Sequence, residues 1–395
     1  MLAQRTRLIA TSGTANARAA AATAAAGGKQ IIDLTSGEIW AELAPAIRDG
    51  AIAAINRGEN RYTDTIGLTK LRLKVAQALS SRTEIEWTAD EVAITAGAKQ
   101  ALFDAAMVLL NPGDEVIVPS PYWTTFPAQV LLAGGKPVFV DSHDSGFVPR
   151  VQAIAAAITP ATRAIIINTP NNPTGAVYDR STLAGIAELA MARDLWVIYD
   201  ECYAAFTYPP HEHSHILRVA PQIRSRTIVI NAFSKQLAMT GWRIGYLAGP
   251  AAVIKAAKAL QSHTTSNPNV IAQHAVIAHL ENSDGTYERA LHARLVTARR
   301  LGLEILQSLD KVAVPRAEGG FYFYLDLAPL LQGSQSAEHP RDADDVVAAL
   351  LAAGVAAVSG TAFGDPYGLR VSYGAPIEHL ESGLRRLVDV LNAWQ

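Results

Sequence analysis

The chain has 395 residues, more than one hydrophobic core usually organises, so we expect two unequal domains. Hydrophobic residues make up 49% and charged residues 18%, which indicates a globular protein and excludes a disordered one. A formal net charge of -2 offers no basic excess for nucleic acid or an anionic membrane, and no apolar run approaches the roughly 20 residues of a membrane-spanning helix.

The N-terminal segment is rich in alanine and has no acidic residue before Asp33. This composition also occurs in transit peptides. We favour an ordered arm, because candidate functional residues begin near Thr14 and residues 19–26 have a helical composition. Residues 1–44 are therefore predicted to form an arm that packs with part of a smaller domain.

Between residues 45 and 285, short β-rich runs alternate with alanine-rich helical stretches such as 99–110 and 180–193. Strands are predicted at 92–95, 115–118, 137–140, 164–168, 196–199, 227–230 and 244–248. This alternation predicts a large α/β domain with a mainly parallel central sheet flanked by helices on both faces. After residue 285, a helix at 286–309 and strands at 321–327, 354–359 and 369–372 predict a smaller α+β domain over residues 286–395.

Polar residues follow several strands of the large domain, where open α/β sheets bind ligands. Gly97-Ala98-Lys99 opens a helix whose first N–H groups favour an anion. The prolines and glycine of segment 168–175 form a rigid turn that would direct the Asn172 amide into a cleft. Taken singly, each feature also fits an ordinary helix start or turn.

Two ionisable residues follow the next predicted strands. Asp200 ends the 196–199 strand, where a buried acid is costly unless it is paired, and a protonated pyridine nitrogen would be such a partner. Lys235 follows the 227–230 strand, with Arg243 eight residues further on. A lysine in a partly buried, cationic site loses its proton more easily and becomes available as a nucleophile. The alternative is a lysine on a solvated loop.

Four motifs occur together, NTPNNPTGAVY (168–178), YDECY (199–203), SKQLAMTGWRIGY (234–246) and RVSYG (370–374). Their order and spacing, from about Arg5 to the C-terminus, resemble the fold type I, class I and II aminotransferases, which use pyridoxal 5′-phosphate (PLP). Within that family the chain resembles the bacterial-type aspartate/prephenate aminotransferases.

The resemblance implies a role for each catalytic residue. Lys235 would bond covalently to PLP and later carry a proton between the substrate Cα and the C4′ carbon of the cofactor. Asp200 would pair with the pyridine nitrogen, and Tyr203 and Asn172 would hydrogen-bond the 3′ oxygen. Trp123 would stack on the ring.

The same resemblance implies how the phosphate is bound. It would contact Gly97, Ala98, Lys99, Ser234 and Arg243, with Ser234 compensating for Ala232, where many members carry a serine. Tyr62 would reach the phosphate of the other subunit, which implies a homodimer with shared active sites.

For the substrate, Arg370 would grip the α-carboxylate beside the Gly37 backbone, with Asn172 and Trp123 nearby. Lys99 and Thr14 would hold a distal carboxylate. That favours aspartate or glutamate as donor, and 2-oxoglutarate or oxaloacetate as acceptor, in a ping-pong reaction.

One departure affects substrate choice, because Gly37-Glu38-Ile39-Trp40-Ala41 stands where relatives have Gly-Glu-Pro-Asp-Phe. We expect Trp40 at the mouth of the pocket, where it would narrow the site or admit aromatic substrates. An aromatic or kynurenine-type aminotransferase and a PLP-dependent β-lyase therefore remain alternatives. A PLP-binding regulator is less expected, since it needs a DNA-binding domain and we expect no room for one before Thr14.

The remaining signals are weaker. Cys202 is the only cysteine, so it cannot form an internal disulfide. We expect it to pack beside Asp200 in a cytoplasmic protein. The histidines of segment 211–215 have a spacing that zinc could use, but we expect a solvated surface loop and no metal site.

Overall fold

The computed structural model describes residues 2–332 and 339–394. In chain order its strands are Ile32–Asp33 (β1), Val92–Thr95 (β2), Glu115–Ser120 (β3), Lys136–Asp141 (β4), Thr162–Asn168 (β5), Trp196–Asp200 (β6), Thr227–Ala232 (β7), Gly245–Ala248 (β8), Tyr322–Asp326 (β9), Val355–Ala356 (β10), Val358–Ser359 (β11) and Gly368–Ser372 (β12). Its α-helices are Gly13–Ala26 (α1), Pro45–Asn56 (α2), Thr69–Thr83 (α3), Ala98–Leu109 (α4), Thr125–Leu132 (α5), Val151–Ala157 (α6), Arg180–Ala192 (α7), Ile216–Val219 (α8), Phe233–Gln236 (α9), Ala251–Ser262 (α10), Val270–Asn282 (α11), Thr286–Leu306 (α12), Ala328–Leu331 (α13), Ala343–Ala352 (α14) and Ile377–Asn392 (α15).

Strands β2 to β8 form one sheet in the order β2-β8-β7-β6-β5-β3-β4. Neighbouring strands from β7 through β4 are parallel, whereas β8 runs antiparallel to both β7 and β2. The predicted mainly parallel sheet is confirmed. Because β5, β6 and β7 are parallel neighbours, the residues that follow them emerge at the same edge of the sheet.

Both faces of this sheet are apolar because helices cover both. In β5, Ile165 and Ile167 belong to a core shared with α2, α3, α7 and α11. Ala164 and Ile166 belong to a second core shared with α4, α5 and α10. Side chains alternate between these two cores along the inner strands, so a buried polar residue at a strand end is exceptional and needs a partner.

A third core joins residues from the region 291–391 with Leu34, Ile39 and part of segment 203–208. Its antiparallel sheet has the order β11-β12-β9, and β10 pairs in parallel with β1 of the N-terminal arm. The predicted single strand at 354–359 is wrong, since it is two strands that pair with different partners. The predicted domain limits at residues 44/45 and 285/286 stay predictions.

The N-terminal arm forms α1, which packs near β11 and the 3-10 helix Gly360–Phe363. The Ser12 hydroxyl lies 2.8 Å from that of Thr14 and 3.1 Å from that of Thr124, just before α5. The arm therefore connects the small sheet with the large domain. Within the described residues no helix has the length and apolarity to cross a membrane, and the cytoplasmic location stays a prediction.

The histidine-rich segment does not form the solvated loop predicted from the sequence. His215 is 4% exposed, and the Nε2 atoms of His213 and His215 lie 3.3 Å and 3.7 Å from Glu201 Oε2. Glu201 is fully buried and also pairs with Arg82 at 2.9 Å. The histidines turn inward because a buried carboxylate needs partners. No three His, Cys, Asp or Glu residues in the described ranges could together hold a metal ion.

Candidate active site

A cavity of about 470 Å³ lies where the carboxyl ends of β5, β6 and β7 meet the N-terminal arm and the small domain. Most residues predicted as functional line it, namely Thr14, Gly37, Ala98, Lys99, Trp123, Asn172, Asp200, Tyr203, Ser234, Lys235, Arg243 and Arg370. They come from widely separated parts of the chain, so tertiary folding brings them together.

Lys235 lies on the short helix α9, directly after β7. Its Nζ donates a hydrogen bond to the backbone oxygen of Gly37 on the opposite wall. Burial lowers the pKa of Lys235 to about 8, and the guanidinium groups of Arg243 and Arg370 act in the same direction. More of this amine is therefore neutral at pH 7 than for an exposed lysine, as a nucleophile or base requires.

Asp200 ends β6 and is 3% exposed. Its Oδ1 accepts a hydrogen bond from the Cys202 N–H at 3.0 Å. Burial raises the pKa of Asp200 to about 6, and hydrogen bonds from Cys202 oppose the rise. Among the described residues no basic side chain forms an ion pair with it. A cation supplied by a ligand would therefore stabilise its charged form.

A chain of hydrogen bonds crosses the cavity between the domains. Asn172 Nδ2 donates to the Tyr203 hydroxyl at 3.4 Å, and the Tyr203 and Tyr322 hydroxyls are 2.9 Å apart. Asn168 Oδ1 accepts from the Asn172 N–H at 2.8 Å and so fixes the turn. Burial raises the pKa values of Tyr203 and Tyr322, so both hydroxyls keep their protons at neutral pH.

Arg370 is a buried cation on β12, with 2% exposure. Its Nη1 donates to Asn172 Oδ1 at 2.9 Å, and its Nη2 donates to the Thr35 backbone oxygen at 2.8 Å. The guanidinium carbon lies 4.4 Å from the centroid of the Tyr322 ring. Its Nε has no hydrogen-bond partner among the described residues. A buried guanidinium with neutral partners and a spare donor fits an anionic ligand.

The start of α4 and Arg243 form a second anion-binding region. Gly97 precedes α4 with a φ of +79°, and a Cβ atom there would lie 2.6 Å from Arg243 Nη2. Glycine is therefore required for Arg243 to lie against the helix start. The N–H groups of the first helical turn lack partners within the helix and favour an anion. Ser234 is buried in the wall nearby.

Lys99 and Thr14 reach the cavity from α4 and α1. Lys99 Nζ lies 5.1 Å from the centroid of the Trp123 ring. Burial lowers the pKa of Lys99, and Arg243 adds to that effect. The two side chains therefore offer a cation and a hydroxyl to a second polar group of a ligand.

Two predicted site residues lie away from the cavity of the single chain. Trp40 is 71% exposed, and its backbone N–H donates to the Gly374 backbone oxygen at 2.8 Å. Ile39 takes the buried side of the segment, and the place of Trp40 at the pocket mouth stays a prediction. Tyr62 is 89% exposed in a surface groove that Pro268 also lines. Its contact with a second subunit stays a prediction.

The wall also contains residues that the sequence motifs did not single out as functional, including Arg18, Glu38, Asn168, Thr240 and Tyr322. Helical spacing offers a signal for Arg18, since it follows Thr14 by four residues on α1 and shares its face. Tyr322 carries no local signal, because it meets Arg370 only through the pairing of β9 with β12.

Comparison with known proteins covers almost the whole chain. The family model for aminotransferase class I and II matches residues 29–387. The aspartate aminotransferase of Geobacillus stearothermophilus is 37% identical to this chain, with 93% of each covered. The aspartate/prephenate aminotransferase of Thermus thermophilus is 39% identical, with 92% of each covered.

A solved structure shows the same similarity in three dimensions. The aspartate aminotransferase from Thermus thermophilus with maleate has a TM-score of 0.92 to this chain, at 35% identity. The match covers 99% of both chains, so it includes the large sheet, the small domain and the arm.

Proposed function

This chain belongs to the class I and II aminotransferase family and is an aminotransferase, and from that premise we propose that it uses PLP to move the amino group of aspartate or glutamate to a 2-oxo acid. One observation carries the proposal: a lysine with a lowered pKa meets, in a single cavity, a buried acid and a buried arginine that have no ionic partner among the described residues. Such groups are costly to bury unless a ligand pairs with them.

The residues of the cavity fit PLP. Asp200 would hold a proton on the pyridine nitrogen and thereby gain a cationic partner. Arg243 and the start of α4 suit the phosphate. Tyr203 suits the phenolic oxygen of the ring, and Lys235 supplies the amine for the covalent bond.

When bound, PLP supplies an electron sink for the electron pair that remains on the substrate Cα after its proton leaves. Arg370 binds the substrate α-carboxylate through two parallel N–H groups and so fixes the orientation of Cα. Once the substrate amine has displaced it from the cofactor, Lys235 Nζ would take the Cα proton and deliver it to the adjacent carbon of the cofactor. Asp200 would keep the ring nitrogen protonated throughout, and the Tyr203 hydroxyl would donate to the phenolic oxygen.

The amino group of the donor stays in the site when the first 2-oxo acid leaves. A second 2-oxo acid then enters and accepts it, so the kinetics should follow a ping-pong pattern. Lys99 and Thr14 support an acidic donor and acceptor, because they offer a cation and a hydroxyl beyond Arg370. Similarity to a relative solved with maleate, a dicarboxylate, supports the same choice. The feature that favoured aromatic substrates, Trp40, lies outside the cavity of the single chain.

We also propose that the active enzyme is a homodimer. Tyr62 is far too exposed for a structural tyrosine, and Ile52 and Ile55 on the neighbouring helix α2 are 50% and 61% exposed. Apolar side chains exposed together on one face support a second copy of the chain as their partner. Tyr62 would then reach the phosphate site of that copy.

The proposed reaction is tested by adding single amino acids to the purified holoenzyme without any oxo acid. Aspartate or glutamate should change the visible absorption of the bound cofactor and release a stoichiometric amount of its 2-oxo acid. Lys235→Ala should abolish both changes, whereas Lys255→Ala, at an exposed position on α10, should retain them. Release of pyruvate and ammonia without an acceptor would favour a β-lyase, and no response to any amino acid would contradict the proposal.

A further inference from the structure

Arg18 is a basic residue of the cavity. It takes no part in the proposed binding of the cofactor or of the substrate α-carboxylate. The basic side chains that line the cavity are Arg18, Lys99, Lys235, Arg243 and Arg370. Under the proposed function, Lys235 serves the chemistry, Arg243 the phosphate and Arg370 the α-carboxylate. Lys99 and Arg18 remain for any further negative charge on the substrate.

Arg18 is held at the wall by an acidic partner. Arg18 follows Thr14 by four residues on α1, so the two side chains lie on the same face of the helix. Its Nη2 forms an ion pair with Glu38 Oε1 and lies 3.3 Å from Ser36 Oγ. Glu38 also accepts a hydrogen bond from Thr240 Oγ1 at 2.6 Å. The carboxylate of Glu38 therefore holds the partly exposed guanidinium against the cavity wall.

Segment 35–38 connects Arg18 with the groups that would hold a substrate. The backbone oxygen of Thr35 accepts a hydrogen bond from Arg370 at 2.8 Å. The backbone oxygen of Gly37 accepts one from Lys235. The side chains of Ser36 and Glu38, in the same segment, contact Arg18. Consecutive Cα atoms are only about 3.8 Å apart. Arg18, Lys235 and Arg370 therefore contact one four-residue segment, and all three line the cavity that would hold the substrate.

The ion pair between Arg18 and Glu38 is exchangeable. Its side chains are 57% and 41% exposed, so water screens the pair and limits its strength. A substrate carboxylate offers the same planar acceptor, and the rest of the bound substrate already holds it in place. An uncharged side chain offers no such acceptor and leaves the pair intact.

We propose that Arg18 is a specificity-determining residue, which leaves Glu38 to bind the distal carboxylate of acidic substrates and stays on Glu38 when the substrate is uncharged. This inference rests on the proposed aminotransferase function. Glu38 then competes with the distal carboxylate of the substrate for Arg18. When the substrate has no distal carboxylate, Glu38 neutralises the charge of Arg18. The single cavity thus distinguishes dicarboxylic from monocarboxylic substrates by an exchange of partners.

The test compares Arg18→Gln with the unmodified holoenzyme in the donor half-reaction, using aspartate and alanine separately. The ratio of kcat/KM for aspartate to that for alanine should fall about 10-fold, as expected for the loss of one charge-assisted hydrogen bond. Arg18→Lys, which keeps the charge without the planar fork, should give an intermediate ratio. Arg7→Gln removes the same charge from the exposed part of the arm and is the matched control, with an unchanged ratio.

A binding measurement checks the exchange independently of turnover. Calorimetry with the holoenzyme should show weaker succinate binding in Arg18→Gln, while butyrate binding should change much less. Glu38→Gln should act in the opposite direction and tighten succinate binding about 2–5-fold, because it removes the competing charge. Equal losses for aspartate and alanine, or for succinate and butyrate, would assign Arg18 a structural role and overturn the inference.

Failure of the proposed function has a different signature. In that case the unmodified holoenzyme itself would not react with aspartate. If it reacts and Arg18→Gln keeps the original ratio, only the role of Arg18 is refuted.

Discussion

Asp104 is an acid on α4 with 0% exposure, and neither carboxylate oxygen has a hydrogen-bond partner among the described residues. Burial raises the pKa of Asp104 to about 7. An aspartate in the unfolded chain titrates near pH 4. Between about pH 4 and 7 the folded state therefore binds more protons at this site than the unfolded state, and its contribution to stability falls as the pH rises.

We therefore expect Asp104→Asn to raise the midpoint of thermal unfolding by about 2–4 °C at pH 8. The gain should vanish near pH 4, where the native carboxyl already carries its proton. Asparagine removes the charge but leaves an unsatisfied polar group, which limits the gain. Thermal melts of the apoprotein at both pH values would measure it.

Asp389→Asn, on the exposed side of α15, is the matched control and should not change the midpoint at either pH. If Asp104→Asn gave the same gain at pH 4 and pH 8, ionisation of the buried carboxyl would not be the cause.

Individual residues differ in how much of their role is readable from the chain. Asp200 and Lys235 could be predicted because each directly follows an apolar strand, where ligands bind in this class of sheet. The place of Trp40 at the pocket mouth stays a prediction, because the direction of a side chain in an irregular segment depends on backbone pairing with a distant residue, here Gly374.

Among the helices and strands, α4 is the one whose local sequence is most directly related to the site. Its start contributes N–H groups to the proposed phosphate site, and Gly97 allows Arg243 to approach them. Its existence follows from local composition and a preceding glycine. The approach of Arg243 follows from the pairing of β2 with β8, which places the chain segment before β8 next to the start of α4.

Gly97→Ala is expected to weaken PLP binding about 10-fold or more. The added Cβ would lie 2.6 Å from the Arg243 guanidinium and displace it, in addition to straining a backbone with φ of +79°. Titration of the apoprotein with PLP, followed by absorption, would give the dissociation constant.

Gly113→Ala is a control for backbone strain away from the cavity. Gly113 has a φ of +92° but nothing within 4 Å of its Cβ position, so it carries the strain without the contact. PLP binding should be nearly normal in this variant. Comparable loss in both variants would mean that the Arg243 contact is unimportant for the phosphate.

At the scale of the molecule, the arrangement of the large sheet and the small antiparallel sheet around one cavity depends on contacts between distant parts of the chain. Thr14 on α1, Arg370 on β12 and Lys235 on α9 line the same cavity. The proposed second subunit would add Tyr62 to the same site. An active site shared between subunits has a consequence that mixing experiments can detect.

Two inactive variants should restore activity when they are mixed. Lys235→Ala removes the covalent anchor, and Tyr62→Ala removes the proposed contact from the other subunit. Each proposed site combines Lys235 of one subunit with Tyr62 of the other. In a mixed dimer, one site therefore carries both substitutions and the other site carries neither. Random exchange of subunits should therefore restore up to about a quarter of the unmodified activity.

Activity should be measured before and after mild denaturation and renaturation of the mixture. A mixture of Lys235→Ala with Lys235→Gln is the control and should stay inactive. If Tyr62→Ala lowers activity and the mixture with Lys235→Ala never exceeds the Tyr62→Ala activity present, the sites are not shared through Tyr62.

The sequence by itself determined the parallel sheet, its strand-end residues and the family, because these depend on local hydrophobic patterning and on contiguous motifs such as YDECY and SKQLAMTGWRIGY. Only the tertiary structure decided that Arg18 pairs with Glu38 at the cavity, that His213 and His215 turn inward to Glu201, and that segment 354–359 divides between two sheets. Each of these depends on a partner distant in the chain or on a buried charge that must be satisfied, and neither condition has a signature in the neighbouring residues.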